Sequence, residues 1–185
     1  MKSLWLNALL FQATWFGCVV GAAMGQPWLG AAPLVLLALQ VARRPCAGDL
    51  QLVASALALG LCLSWTWQWL GVLAYASPGP IAGQAPAWIA MLWVAFALTF
   101  NHSLGWLVRR PLLALVFGLV GSPASYLAAQ RLGAVQFLVA PEEALAAIGV
   151  AWAAATWGLA RLAMRFARRR STGTSSMVVA LEERS

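Results

Sequence analysis

Apolar runs of membrane-spanning length alternate with short polar or basic breaks along this chain. A helix needs about 20 apolar residues to cross roughly 30 Å of hydrocarbon, and six segments are read against that measure. The first runs from Leu4 to Met24, and Gly25-Gln26-Pro27 then makes a tight turn, with Pro27 suited to a helix start. The second, Trp28 to Ala42, stops at Arg43-Arg44-Pro45 and is short, roughly 22 Å at helical rise. Either the bilayer thins there or the helix crosses incompletely. The third runs from Leu50 to Tyr75, and the prolines and glycines over 77–86 forbid a continuous helix after it. The fourth runs from Ala87 to Val108 and stops at Arg109-Arg110. The fifth begins at Pro111 and is apolar to Ala129, with Gly121 and Pro123 near its middle. Residues 131–140 are a semi-apolar connector, or a continuation of the fifth helix past a kink. The sixth opens at Pro141-Glu142-Glu143, where acids complement the helix dipole, and ends among Arg161, Arg165 and Arg168 to Arg170.

Composition turns this pattern into a class. Hydrophobic residues make up 62% of the 185 and charged ones 9%, against about 25% charged in soluble domains. Lipid has to cover the excess apolar surface. The expected fold is all-α: a polytopic membrane protein with six transmembrane helices in one bundle over 1–170, followed by a disordered cytoplasmic tail over 171–185. Lys2 is a thin n-region and Gly21-Ala22-Ala23 resembles a cleavage site, but Asn7, Gln12 and Thr14 interrupt the segment, which reads as an uncleaved first helix.

The net charge of +7 marks topology. Lys2, Arg43, Arg44, Arg109, Arg110 and the C-terminal arginines fall on one side when six helices are threaded with the N-terminus inside, as the positive-inside rule requires. Only Arg131 lies opposite, with Glu142 and Glu143 as prospective partners. Both termini are thus expected in the cytoplasm, with the protein in a bacterial inner membrane. Basic residues split among helix ends make no nucleic-acid footprint.

Small residues predict where helices touch: Gly17, Gly21 and Gly25; Ala54 with Ala58, or Ala56 with Gly60; and Ala146, Val150, Ala154 and Gly158. Of the eleven tryptophans, Trp28, Trp88 and Trp106 are expected in the interfacial belt, while Trp65 and Trp69 share a face opposite Trp67. Cys18, Cys46 and Cys62 match no metal or redox spacing.

Ionisable groups inside a bilayer are costly and so mark candidate sites. His102, in Thr99-Phe100-Asn101-His102-Ser103, lies roughly 10 Å from the arginine boundary along a continuous helix, with Thr99 and Trp106 on its face. It packs helices by a hydrogen bond, or it handles a proton or substrate. A single histidine makes no zinc site, and no carboxylate is placed beside it. Pro123 in Gly121-Ser122-Pro123-Ala124-Ser125-Tyr126 frees a carbonyl, as in the broken helices that line binding sites, or makes a kink satisfied by serine hydroxyls. Asn101, His102, Ser103, Ser122, Tyr126 and Arg131 form the candidate binding cluster, with no catalytic residue, cofactor or metal ligand assigned. Pro33 to Gln40 and Pro123 to Gln130 share a pattern that would fit two inverted three-helix repeats.

Phe96 to Leu107, with Asn101-His102-Ser103, and Gly121 to Val135, with Pro123 and Tyr126, resemble a small bacterial inner-membrane family, domain of unknown function 2878. Ser122 stands where the family pattern has a second glycine. The resemblance carries no activity; the occurrence of such genes near lipid-modifying enzymes implies a role in envelope lipid metabolism. Three functions fit the residues. One is a non-enzymatic accessory protein whose partners are the bilayer and another membrane protein. The second is a small transporter or substrate-binding subunit with its site at the broken fifth helix. The third is an intramembrane enzyme built on His102 with Ser103 or Tyr126, which lacks an orienting carboxylate.

Overall fold

The structure, a computed structural model, describes residues 2–77 and 84–182, with side chains over 3–77 and 84–167. Most of the loop expected over 77–86 and the last three residues of the expected tail lie outside it. The described residues are mostly helical: α1 (Lys2–Ala23), a 3-10 turn (Pro27–Gly30), α2 (Ala31–Ala42), α3 (Asp49–Trp69), α4 (Ala87–Phe100), α5 (Gly105–Val108), α6 (Pro111–Arg131) and α7 (Pro141–Glu182). Four helices are long and apolar enough to cross a membrane: Ser3–Ala23, Asp49–Trp69, Pro111–Arg131 and Pro141–Ala167. Two apolar segments, Pro27–Ala42 and Ala87–Phe100, are shorter. The last helix carries its backbone to Glu182, through most of the stretch expected to be irregular.

Two boundaries differ from the expected ones. The third span does not reach Tyr75. Gly71, at φ +64°, ends α3 in a Schellman cap, with Val72 N–H donating to Trp67 O (2.9 Å) and Gly71 N–H to Gln68 O (3.1 Å). The chain then enters strand β1 (Leu73–Tyr75). Gly133, at φ +85°, closes α6 in the same way, so the connector after Arg131 is strand β2 (Val135–Phe137) and not more helix. The two strands pair antiparallel, Leu73 with Phe137 and Tyr75 with Val135. The repeat the structure displays is this helix–cap–strand unit, Gln68 to Tyr75 and Gln130 to Phe137. The alternative match of Pro33 with Pro123 sets the 12-residue α2 against the 21-residue α6.

The fourth span breaks at Asn101, which leaves the helix at φ −89°, ψ 0°. Residues 101–104 form a turn before α5. The Asn101 and Ser103 side chains bond to other segments here, the competition by which such residues end helices. Trp106 therefore does not continue the Thr99–His102 face. α6, by contrast, is unbroken at Pro123: Ser122 Oγ donates to Gly118 O (2.8 Å), and the carbonyl that proline frees, Leu119 O, lies against the bare Cα of Gly149.

α4 is the central helix. Trp88, Ile89, Trp93 and every residue from Ala95 to Phe100 are buried among α1, α2 and α3. Trp88 is thus a core residue, its Nε1 donating to Ala76 O (3.2 Å), and not part of a belt; Trp28 and Trp106 are exposed. Gly17 and Gly21 admit the Pro27–Gly30 turn, and Gly60 admits the Trp93 indole. Gly25, at φ +72°, lies between α1 and that turn, where a Cβ would meet nothing, and Ala54 and Ala58 face outward. α7 turns a different face to α6 than the small-residue pattern suggested. Ala146, Val150 and Ala154 are exposed, while Ala144, Ile148, Gly149, Ala155, Thr156 and Leu159 face inward.

Candidate functional site: a polar turn and an apolar cleft

The six residues singled out in the sequence divide between two places. Asn101, His102 and Ser103 form the turn after α4, beside the exposed Arg43, Arg44, Arg109 and Arg110. Two partner sets meet them there. On one side, Ser103 donates through Oγ (2.6 Å) and its backbone N–H (3.3 Å) to Oδ1 of Asn7 in α1. Asn7 Nδ2 donates in turn to Gln40 Oε1 of α2 (3.0 Å) and to Leu98 O (3.3 Å). Asn7 is fully buried, so this network ties α1, α2 and α4 where a lone amide would be costly.

On the other side stands Asp49, the first residue of α3 and the chain's one aspartate. His102 Nε2 lies 3.2 Å from Asp49 Oδ2, with the two side chains only 8% and 12% exposed. Asn101 Nδ2 donates to Asp49 Oδ1 (2.8 Å), and the Cys46 N–H donates to Oδ2 (2.7 Å). The histidine expected to stand without a carboxylate has one. Gly48, at φ +89°, makes this turn, and its missing side chain leaves room for Phe166 of α7. Cys46 Sγ points back to Asn101 O at 3.7 Å. Burial, and then the negative Asp49, push the Cys46 thiol pKa above its ordinary value.

Ser122, Tyr126 and Arg131 line a separate cleft of about 730 Å³ between α1, α4, α6 and α7. Asn101 and His102 are not among its walls. Its lining is mostly aromatic and aliphatic, with Trp93 stacked on Trp152 at 4.3 Å and Tyr126 edge-on to Trp152 at 6.4 Å. Trp15 Nε1 of α1 donates to Ser125 Oγ of α6 (2.9 Å), a strut across the cleft. Trp152 and Thr156 contribute to the lining, but their Nε1 and Oγ1 atoms are themselves buried, with no hydrogen-bond partner among the described residues. The lip carries Gln12, Phe16, Phe117 and Leu132, all exposed, with the exposed Arg131 in the last turn of α6. Arg131 makes no ion pair with Glu142 or Glu143; among the described residues the His102–Asp49 pair stands alone.

The sequence missed Asp49, Cys46 and Asn7 on the polar side, and Trp15, Trp152 and Thr156 in the cleft. Asp49 had a usable signal, as the only Asp in the chain and one set at a helix start. The others become neighbours only through packing. Among families, the model for a protein of unknown function, DUF2878, matches residues 4–158. No curated protein and no solved structure matches.

Proposed function

We propose a lipid-binding role for this chain, which belongs to the DUF2878 family of proteins of unknown function. The cleft takes the tail of an anionic amphiphile, and Arg131 takes its headgroup. The observation that carries this reading is the match between wall and rim: an apolar space of about 730 Å³ with one cation, Arg131, at its lip. Sites for small ligands are built this way, from apolar walls with a few placed polar groups. α6 begins beside Arg110 and ends at Arg131, roughly 31 Å apart along a 21-residue helix. The guanidinium then sits at headgroup level in the leaflet away from the other arginines, with the tail lying down along Tyr126 and Ser122.

In this reading all six apolar segments lie within a bacterial inner membrane, with α4 enclosed by its neighbours, α2 on the periphery, and both termini cytoplasmic. The protein presents or senses an envelope lipid and performs no chemistry on it in the cleft. The cleft beside α6 also replaces a broken helix as the site of the substrate-binding alternative.

Native mass spectrometry of the detergent-purified protein tests the proposal. Gly121 lines the cleft and a Cβ on it meets nothing within 4 Å, so Gly121→Phe adds its bulk at the cleft. The expected result is a retained lipid on the wild type, lost in Gly121→Phe, with anionic species selectively lost in Arg131→Gln. Equal lipid retention in all three proteins would overturn it.

A further inference from the structure

We propose that Cys46, Asp49 and His102 form a binding site for a divalent transition metal of the zinc class. The site lies at the arginine-rich end, away from the cleft, and stands independently of the lipid reading. Its thiol sulfur, carboxylate oxygen and imidazole nitrogen come from two segments far apart in the chain and all lie within 4.8 Å of one another. Zinc takes sulfur at about 2.3 Å and nitrogen or oxygen at about 2.0–2.1 Å, so its tetrahedral ligands stand about 3.3–3.8 Å apart. His102 Nε2 and Asp49 Oδ2 are already 3.2 Å apart. The sulfur needs to close by about 1 Å to complete the set.

Three features separate this arrangement from a simple helix cap. The donors are of mixed softness: a thiolate with an imidazole selects zinc or its neighbours over magnesium and calcium, which prefer all-oxygen shells. The carboxylate is oriented from behind, since Asn101 Nδ2 holds Oδ1 and leaves Oδ2 facing the imidazole, the outer-shell support that metal ligands commonly have. Access is one-sided. His102 and Asp49 are nearly buried while Cys46 is exposed, so a bound ion would keep its fourth position toward solvent. A thiolate and a carboxylate together neutralise a divalent ion, which offsets repulsion from the nearby Arg43 and Arg44.

Cobalt(II) titration of the full-length, tag-free protein in detergent tests this, followed by zinc competition. The expected result is one cobalt per chain, with a thiolate-to-metal charge-transfer band and a tetrahedral visible spectrum, both erased by zinc. Cys46→Ser should remove the charge-transfer band. Asp49→Asn and His102→Gln should each weaken binding at least tenfold, and Asn101→Ala, which keeps every donor, about 10–100-fold. The double variant Cys18→Ser/Cys62→Ser should keep the band. Cys46 is exposed, so its variant reads out binding in a folded protein, checked by monodisperse elution. The inference fails if no saturable band appears, or if the band survives Cys46→Ser.

Discussion

Asn7→Leu removes the centre of the network that joins α1, α2 and α4 while keeping the branched shape and heavy-atom number of the side chain. Four hydrogen bonds go: those from Asn7 Nδ2 to Gln40 Oε1 and Leu98 O, and those to Asn7 Oδ1 from Ser103 Oγ and Ser103 N–H. Hydrogen bonds between membrane helices average about 0.6 kcal/mol, with an upper value near about 1.7, because the unfolded chain also finds partners in lipid. Four of them sum to about 2.4 kcal/mol, and Gln40 Oε1 is left without its donor and Ser103 Oγ without its acceptor. The folded-to-unfolded ratio should therefore fall about 50-fold, at about 1.4 kcal/mol per decade. Equilibrium unfolding by SDS in mixed micelles, followed by tryptophan fluorescence, measures it. Leu9→Ala serves as the control, since Leu9 is 66% exposed on the same helix and makes none of these bonds. A loss under about 0.5 kcal/mol, or one matched by Leu9→Ala, would refute the assignment of this network as an interhelical tie.

Gly118→Ala places a methyl group on the Trp152 carbonyl and Thr156 Oγ1 and should destabilise the α6–α7 seam by about 1–3 kcal/mol; Gly121→Ala, one turn on, meets nothing and should be neutral in the same unfolding assay. In metal-free protein lacking Cys18 and Cys62, Cys46 should alkylate more slowly than a free thiol at pH 7.5. Partial burial and Asp49 both disfavour its thiolate, so the rate should climb roughly tenfold per pH unit up to the raised pKa; a fast, pH-independent reaction would contradict the raised thiol pKa. An enzymatic reporter fused after Ser185 should be active only in the cytoplasm, and external activity would reverse the arginine-based topology.

The long runs were legible because nothing interrupts them: α1 and α6 begin and end close to where polarity and proline place them. The ends of α3 and α4 were not. Val72 to Tyr75 is as apolar as the helix before it, and only Gly71 marks the change of conformation. At Asn101 the helix loses to side-chain bonds with Asp49 and Asn7, partners that hydropathy does not connect. The α7 face was misread because small residues occur all round that helix, and size alone cannot say which side meets Gly118. Of the candidate cluster, Ser122 and Tyr126, on either side of Pro123, line the cleft, although the helix there stays whole rather than broken. The pairing of His102 with Asp49 depends on where α3 starts relative to α4, which is set by tertiary contacts such as Gly60 with Trp93.

The short ladder between β1 and β2 has one further consequence. Ala76 N–H donates to Ala134 O, and Leu138 N–H donates to Val72 O, both near 3.0 Å: the same bond written twice, once from each unit. Each strand offers its counterpart what it receives, the self-complementary relation that joins identical subunits about a dyad. A single unit would thus present an edge suited to a twin. Covalent tethering of the two units consumes that edge internally, sparing the protein an adhesive border that would otherwise invite chains to join end on end.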